Sequence, residues 1–83
     1  MVLKTQNKQE VALKRYVISP QSAFLGQSIR ESKIREQTKS IIVGLERKGQ
    51  RILNPESSII FEDGDIVWIV GNIKRLQVLL HEF

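Results

Sequence analysis

Cysteine is absent from this 83-residue chain, so no disulfide can brace it and no thiolate can hold a metal. A chain this short buries a smaller share of its surface than a larger domain does, so its stability rests on packing in a thin core, and a homodimer is a reasonable expectation. Histidine occurs once, as His81 in the last turn of a terminal helical segment, where a surface or capping role outweighs catalysis. No apolar run approaches the roughly 20 residues that cross a bilayer, and the opening Met1 to Lys8 has no apolar stretch like that of a signal peptide. Charge of one sign does not dominate any stretch. Thirteen basic residues are interleaved with nine acidic ones for a net +4, a scattered balance that serves solubility and argues against direct nucleic-acid binding. A glycine-rich phosphate loop is missing too: Gly44 and Gly49 open no helix at the required spacing, which excludes a dinucleotide held in the Rossmann manner.

What is present is a chain of short strands and two helical segments. Residues 1–9 are polar and read as a flexible tail or linker, with the folded unit expected over 10–83. Val11 to Ile18 is rich in strand formers and stops at Pro20. From Ser22 to Ile34 the period becomes helical, with Phe24, Leu25 and Ile29 as its apolar side and either Ser22 or Ser28 as N-cap, the latter with Glu31 in capping-box spacing. Ile41 to Arg47 is a second strand, expected to place Ile41, Val43 and Leu45 on one face and Ile42 with Gly44 on the other. Gly44 inside it signals a bulge or a close backbone approach. Lys48-Gly49 predicts a tight hairpin into Gln50 to Leu53, which Asn54-Pro55 ends. Ile59 to Phe61 returns apolar weight to the core.

The densest apolar run, Ile66 to Val70, sits between Asp63-Gly64-Asp65 and Gly71-Asn72 and predicts a central strand with Trp68 in the core. Asn72 then caps a helix whose apolar face carries Ile73, Leu76, Leu80 and Phe83. The expected fold class is α+β: a small mixed β-sheet with two helices in the order β-α-β-β-β-α.

Two clusters carry candidate chemistry. Glu62, Asp63 and Asp65 bring carboxylates together, but the further ligands of a calcium loop are lacking and turn chemistry explains them better. Arg47, Lys48 and Arg51 bracket the hairpin and could converge on a phosphate; composition alone favours a solvated tip with Glu46 as counter-charge. Nothing in the chain assembles a catalytic set, and no enzyme activity is expected.

The stretches Ser22 to Ile29, Ile41 to Gly49, Ile52 to Pro55 and Glu62 to Gly71, in this order and spacing, resemble the TrkA-C domain, the C-terminal lobe of the RCK (regulator of potassium conductance) family. The resemblance spans about Val11 to Leu80 and is strongest, around Glu46-Arg47 and Val67 to Gly71, to the tails of monovalent cation/proton antiporters. It implies an RCK C-lobe-like fold, a homodimer, and a cytoplasmic regulatory domain joined, in the same full-length chain, to a membrane-embedded K+ or Na+ transport domain in the inner or cell membrane. Some members bind cyclic di-AMP in the groove between two subunits. Carried over by motif, Arg47 would meet a phosphate, Ile41 and Ile42 would form an apolar floor, and Asn54 with Pro55 would stand at the rim. No other cofactor is implied. The family also implies two alternatives, the effector or dimerisation domain of a DNA-binding transcriptional regulator and a ligand-free dimerisation module.

Overall fold

The structure is a computed structural model that describes residues 2–4 and 10–81, with side chains described over 10–78. Five strands, β1 (Val2–Lys4), β2 (Glu10–Val17), β3 (Ile41–Arg47), β4 (Gln50–Leu53) and β5 (Ile66–Asn72), form one sheet in the order β1-β2-β5-β3-β4. The run Ile66 to Val70 is thus the central strand, as expected. Every pairing is antiparallel, where a mixed sheet was expected. The connections explain this: β2 and β3, which run the same way, are kept apart by the late strand β5 inserted between them. Val2–Lys4, within the stretch expected as tail or linker, pairs with Glu10–Ala12.

The helical segment expected from Ser22 to Ile34 begins later and is broken in two. The Ser22 hydroxyl is taken by the Tyr16 hydroxyl at 2.8 Å and the Phe24 N–H, and Gly26 at φ +83° continues the turn. Ser28 is the true N-cap. Its Oγ accepts the Glu31 N–H at 3.1 Å while the Glu31 carboxylate accepts the Ser28 N–H at 2.9 Å. This reciprocal pair holds the Glu31 carboxyl below the usual carboxylate range. Helix α1 (Ile29–Ser32) ends at Lys33, whose φ of +56° turns the chain into α2 (Ile34–Thr38). Because Leu25 lies in the turn and not on a helix, it is exposed instead of packing with Ile29. Asn72 caps α3 (Ile73–His81) as expected, accepting the Lys74 and Arg75 N–H groups on Oδ1. The side chains of Leu80 and His81, and residue Phe83, lie outside the described set.

The helices and the 59–61 segment cover one face of the sheet. Under them Tyr16, Ile18, Phe24, Ile29, Ile34, Ile42, Leu45, Phe61, Val67, Ile69 and Leu76 form a single core. Gly71 is needed there: a Cβ on it would stand 2.7 Å from the Ser40 Cβ.

The phase of β3 differs from strict alternation. Ile42 pairs with Ile69 but Gly44 pairs with Trp68, so Val43 is an extra residue in a bulge. Ile42 and Leu45 consequently share the covered face, whereas Ile41 and Val43 are exposed. The glycine signal for a bulge was sound, but the face assignment beyond it was not, since one inserted residue inverts every later side chain.

Candidate functional site

The hairpin joining β3 to β4 turns at Lys48 and Gly49, both at positive φ, which sets Gly44 opposite Leu53, Leu45 opposite Ile52, Glu46 opposite Arg51 and Arg47 opposite Gln50. Arg47 emerges at the end of β3 on the core side of the sheet and is held by three neighbours, with its side chain still 25% exposed. Its Nε and Nη2 donate to the two oxygens of the Asp65 carboxylate at 2.9 and 2.7 Å, Nη2 also reaches the Ile60 carbonyl at 2.8 Å, and Nη1 lies 3.0 Å from Glu62. Asp65 is 1% exposed and additionally accepts the Glu62 N–H at 2.8 Å. The bidentate bond to Asp65 pushes the Arg47 guanidinium further above its already high range, so it stays charged at any working pH. The carboxylate group of the 62–65 turn is therefore a clamp for Arg47. Among the described residues no cluster of three or more His, Asp or Glu side chains could hold a metal ion.

The five residues singled out for ligand contact are not brought together. Ile41 is 64% exposed at the start of β3. Ile42 next to it is buried in the core, because adjacent strand residues point to opposite faces. Arg47 ends the same strand, about 20 Å from Ile41 at the usual rise per residue. Asn54 is exposed with φ +48°, its N–H bonded to the Val43 carbonyl beside the bulge. Pro55 is buried, and its carbonyl accepts the Arg35 Nη2 at 3.0 Å.

What the structure gathers around Ile41 is different. Val11, Val70 and Asn72 flank it across the sheet, and Lys39 and Arg75 stand at its edge, together lining a pocket of about 420 Å3 at the N-terminal end of α3. An apolar floor with two exposed cations suits a planar ring carrying an anionic group. Sequence reasoning missed Lys39 and Arg75, because only the β3-β5 pairing brings the ends of α2 and β3 beside the start of α3.

Trp68 also departs from expectation. It lies on the face that no helix covers, half-buried, with its indole N–H donating to Glu46 Oε1 at 3.1 Å. A pocket of about 310 Å3 opens beside it, lined by Val43, Gly44, Glu46, Arg51 and Leu53.

This antiparallel sheet, half covered by short helices and with a shallow pocket at its margin, is a small α+β domain of the RCK C-lobe type. The chain belongs to the TrkA-C domain family, whose profile matches residues 13–83. It is 26% identical over 78 residues to the probable potassium channel protein 2 of Methanocaldococcus jannaschii, covering 94% of this chain but only 23% of that protein. Among solved structures it resembles the RCK_C domain dimer of S. agalactiae BusR in complex with c-di-AMP, with 29% identity, a TM-score of 0.71 and coverage of 87% of this chain and 99% of that one. The RCK C domain of the potassium transport protein KtrA, also in complex with c-di-AMP, superposes with a TM-score of 0.79 at 25% identity, covering 88% and 84%.

Proposed function

We propose that this chain is a non-catalytic, ligand-sensing regulatory domain of a monovalent-cation transporter or antiporter, carrying K+ or Na+, and that it acts in the cytoplasm as a homodimer. The regulatory domain on this reading is 10–83, with β1 (Val2–Lys4) adding an edge strand to its sheet. The observation that carries it is the pocket over Ile41 with Lys39 and Arg75 at its edge, in a family with two c-di-AMP-bound neighbours.

The ligand is cyclic di-AMP. Its two-fold symmetry and two phosphates match a two-fold dimer in which each subunit offers the same shelf and the same cations. Ile41 supplies the shelf for one adenine, and Lys39 and Arg75 meet a phosphate. Ile42, buried on the covered face, fixes β3 beneath Ile41, the Pro55 carbonyl accepts the Arg35 guanidinium away from this pocket, and Arg47 anchors the hairpin through Asp65. Binding favours one arrangement of the two subunits, and the rest of the protein responds to that shift by the ligand's difference in affinity between arrangements.

Titration calorimetry and thermal melting with cyclic di-AMP test this. Ligand at about a hundredfold above its Kd stabilises by about 2.7 kcal/mol, which raises the melting temperature by several degrees in a domain of this size. Arg75→Glu should abolish the shift without altering the unliganded melt. No heat and no shift in the unaltered protein would end the ligand assignment.

A second reading is favoured by one neighbour: BusR in complex with its busAB-promotor DNA matches at 30% identity with a TM-score of 0.70, covering 84% of this chain and 36% of that one. On that reading the same sensing domain serves a DNA-binding regulator. The encoding gene distinguishes the two: apolar spans of about twenty residues favour the transporter, and a helix-turn-helix favours the regulator.

A further inference from the structure

Helix α2 is five residues long, and both of its ends are left-handed lysines, Lys33 at φ +56° and Lys39 at φ +50°. A helix this short does not hold itself. Ile34 buries its first turn in the core, and the Thr38 hydroxyl closes its last turn on the Ile34 carbonyl at 2.6 Å. Arg35 is a third hold, and it reaches sideways out of the helix: its Nη2 donates to the Pro55 carbonyl at 3.0 Å. The carbonyl of the same residue accepts the N–H groups of Lys39 and Ser40, the latter at 3.1 Å. Lys39 is therefore set by a residue that is tied at both ends.

We propose that Arg35 is the positioning residue of the Ile41 pocket, fixing where the Lys39 ammonium stands relative to the apolar shelf; this rests on the ligand reading above and adds what sets the geometry of the site. The bonds close a circuit. Pro55 follows Asn54, whose N–H is bonded to the Val43 carbonyl at 3.0 Å, and Val43 shares β3 with Ile41. From Ile41 the path runs along β3 to Val43, across to Asn54 and Pro55, through the Arg35 side chain and carbonyl to Lys39 and Ser40, and back to Ile41. The shelf and the Lys39 cation thus hang on one loop whose side-chain link is the Arg35 guanidinium.

Arg35 and Pro55 are not among the residues lining that pocket, so the guanidinium acts through Lys39 and not on the ligand. An arginine suits this post. Its planar fork stays charged and holds the carbonyl by a charge-assisted bond, where a lysine offers a mobile point charge. Without it α2 keeps Ile34 in the core but is free to turn about that contact, and Lys39, its C-cap, swings relative to the shelf. A ligand whose ring and phosphate are held at a set spacing then pays to order the site before it can meet both groups.

Calorimetry with cyclic di-AMP tests the proposal through its dependence on Lys39. Arg35→Met, which keeps the apolar stem, should weaken binding about tenfold in the otherwise unaltered chain and by less than about twofold where Lys39→Met is already present. Hydrogen exchange without ligand gives an independent reading: in Arg35→Met the Lys39 and Ser40 amides should exchange about tenfold faster or more, with the β5 amides unchanged. An equal loss of affinity with and without Lys39→Met means that Arg35 acts by its own charge, and overturns the proposal. Unchanged exchange at Lys39 and Ser40 overturns it as well, whether or not a ligand binds. Faster exchange that extends to β5 marks a general role in stability and has the same consequence. No heat with the unaltered protein, together with faster exchange confined to Lys39 and Ser40 in Arg35→Met, ends the ligand reading and leaves Arg35 as the residue that sets Lys39.

Discussion

Ile41 and Ile42 are chemically identical neighbours on one strand, yet they belong to opposite worlds. Ile42 pairs with Ile69 beneath the helices and is completely buried; Ile41 pairs with Val70 on the open face and is mostly in water. The covered face holds the fold together by filling space around Phe61, Leu76 and Val67. The open face keeps a similar stock of apolar side chains, broken by Arg15, Glu46 and Arg51, and contributes little to holding one copy together. The contrast teaches that the number of apolar residues in this sheet exceeds what a single copy can use, and that the surplus sits where the candidate site is.

Substitutions sharpen this contrast. The largest effect is expected from Ile42→Ala, about 4 kcal/mol of lost stability in urea unfolding, since a fully buried isoleucine leaves a cavity among Leu45, Val67 and Ile69. Asp65→Ala should cost about 3 kcal/mol, the low end for breaking a buried ion pair, because Arg47 keeps Glu62 and a quarter of its exposure. That loss should appear without any direct effect on ligand contact, which separates a clamp from a phosphate ligand. Gly71→Ala comes next at about 2 kcal/mol, from the overlap with Ser40 on the covered side.

The capping box adds a pH-dependent term. Glu31 has a depressed folded-state pKa, so its contribution is present above the unfolded carboxylate pKa and is lost as pH falls through the folded one. Urea midpoints of the protein and of Glu31→Gln should therefore differ at neutral pH and converge in acid. A constant difference across that range would remove the box as its source. The smallest effect is expected from Ile41→Ala: within about 0.5 kcal/mol at concentrations where the chain is monomeric, with ligand affinity reduced. An Ile41→Ala loss as large as that of Ile42→Ala would erase the distinction between the faces.

Much of the fold was legible. The positive-φ hairpin at Lys48-Gly49, the Asp63-Gly64 turn, the Asn72 cap and the central strand all rest on residues that favour one local geometry. The helix at Ser22 was misjudged because Ser22 finds a tertiary partner in Tyr16, which no local rule reveals. Trp68 was assigned to the core because its neighbours on both sides are apolar, a pattern that cannot say which sheet face is covered.

The candidate site was less legible than the fold. Residue type pointed to Arg47 as an anion ligand, while most of its hydrogen-bonding capacity goes to Asp65, Glu62 and the Ile60 carbonyl. Lys39 and Arg75 gave no signal, being ordinary surface cations until Ile41 comes between them.

By itself, the amino-acid order determined the local geometry: where strands begin and end, where the chain turns, and the family to which the chain belongs. Those depend on short-range sterics, capping and period, which act within a few residues. Only the tertiary structure decided the antiparallel order of strands, the phase change at Val43, the engagement of Arg47 and the identity of the open face. These depend on which distant segments meet, and one bulge or one ion pair there reassigns side chains whose local preferences are unchanged.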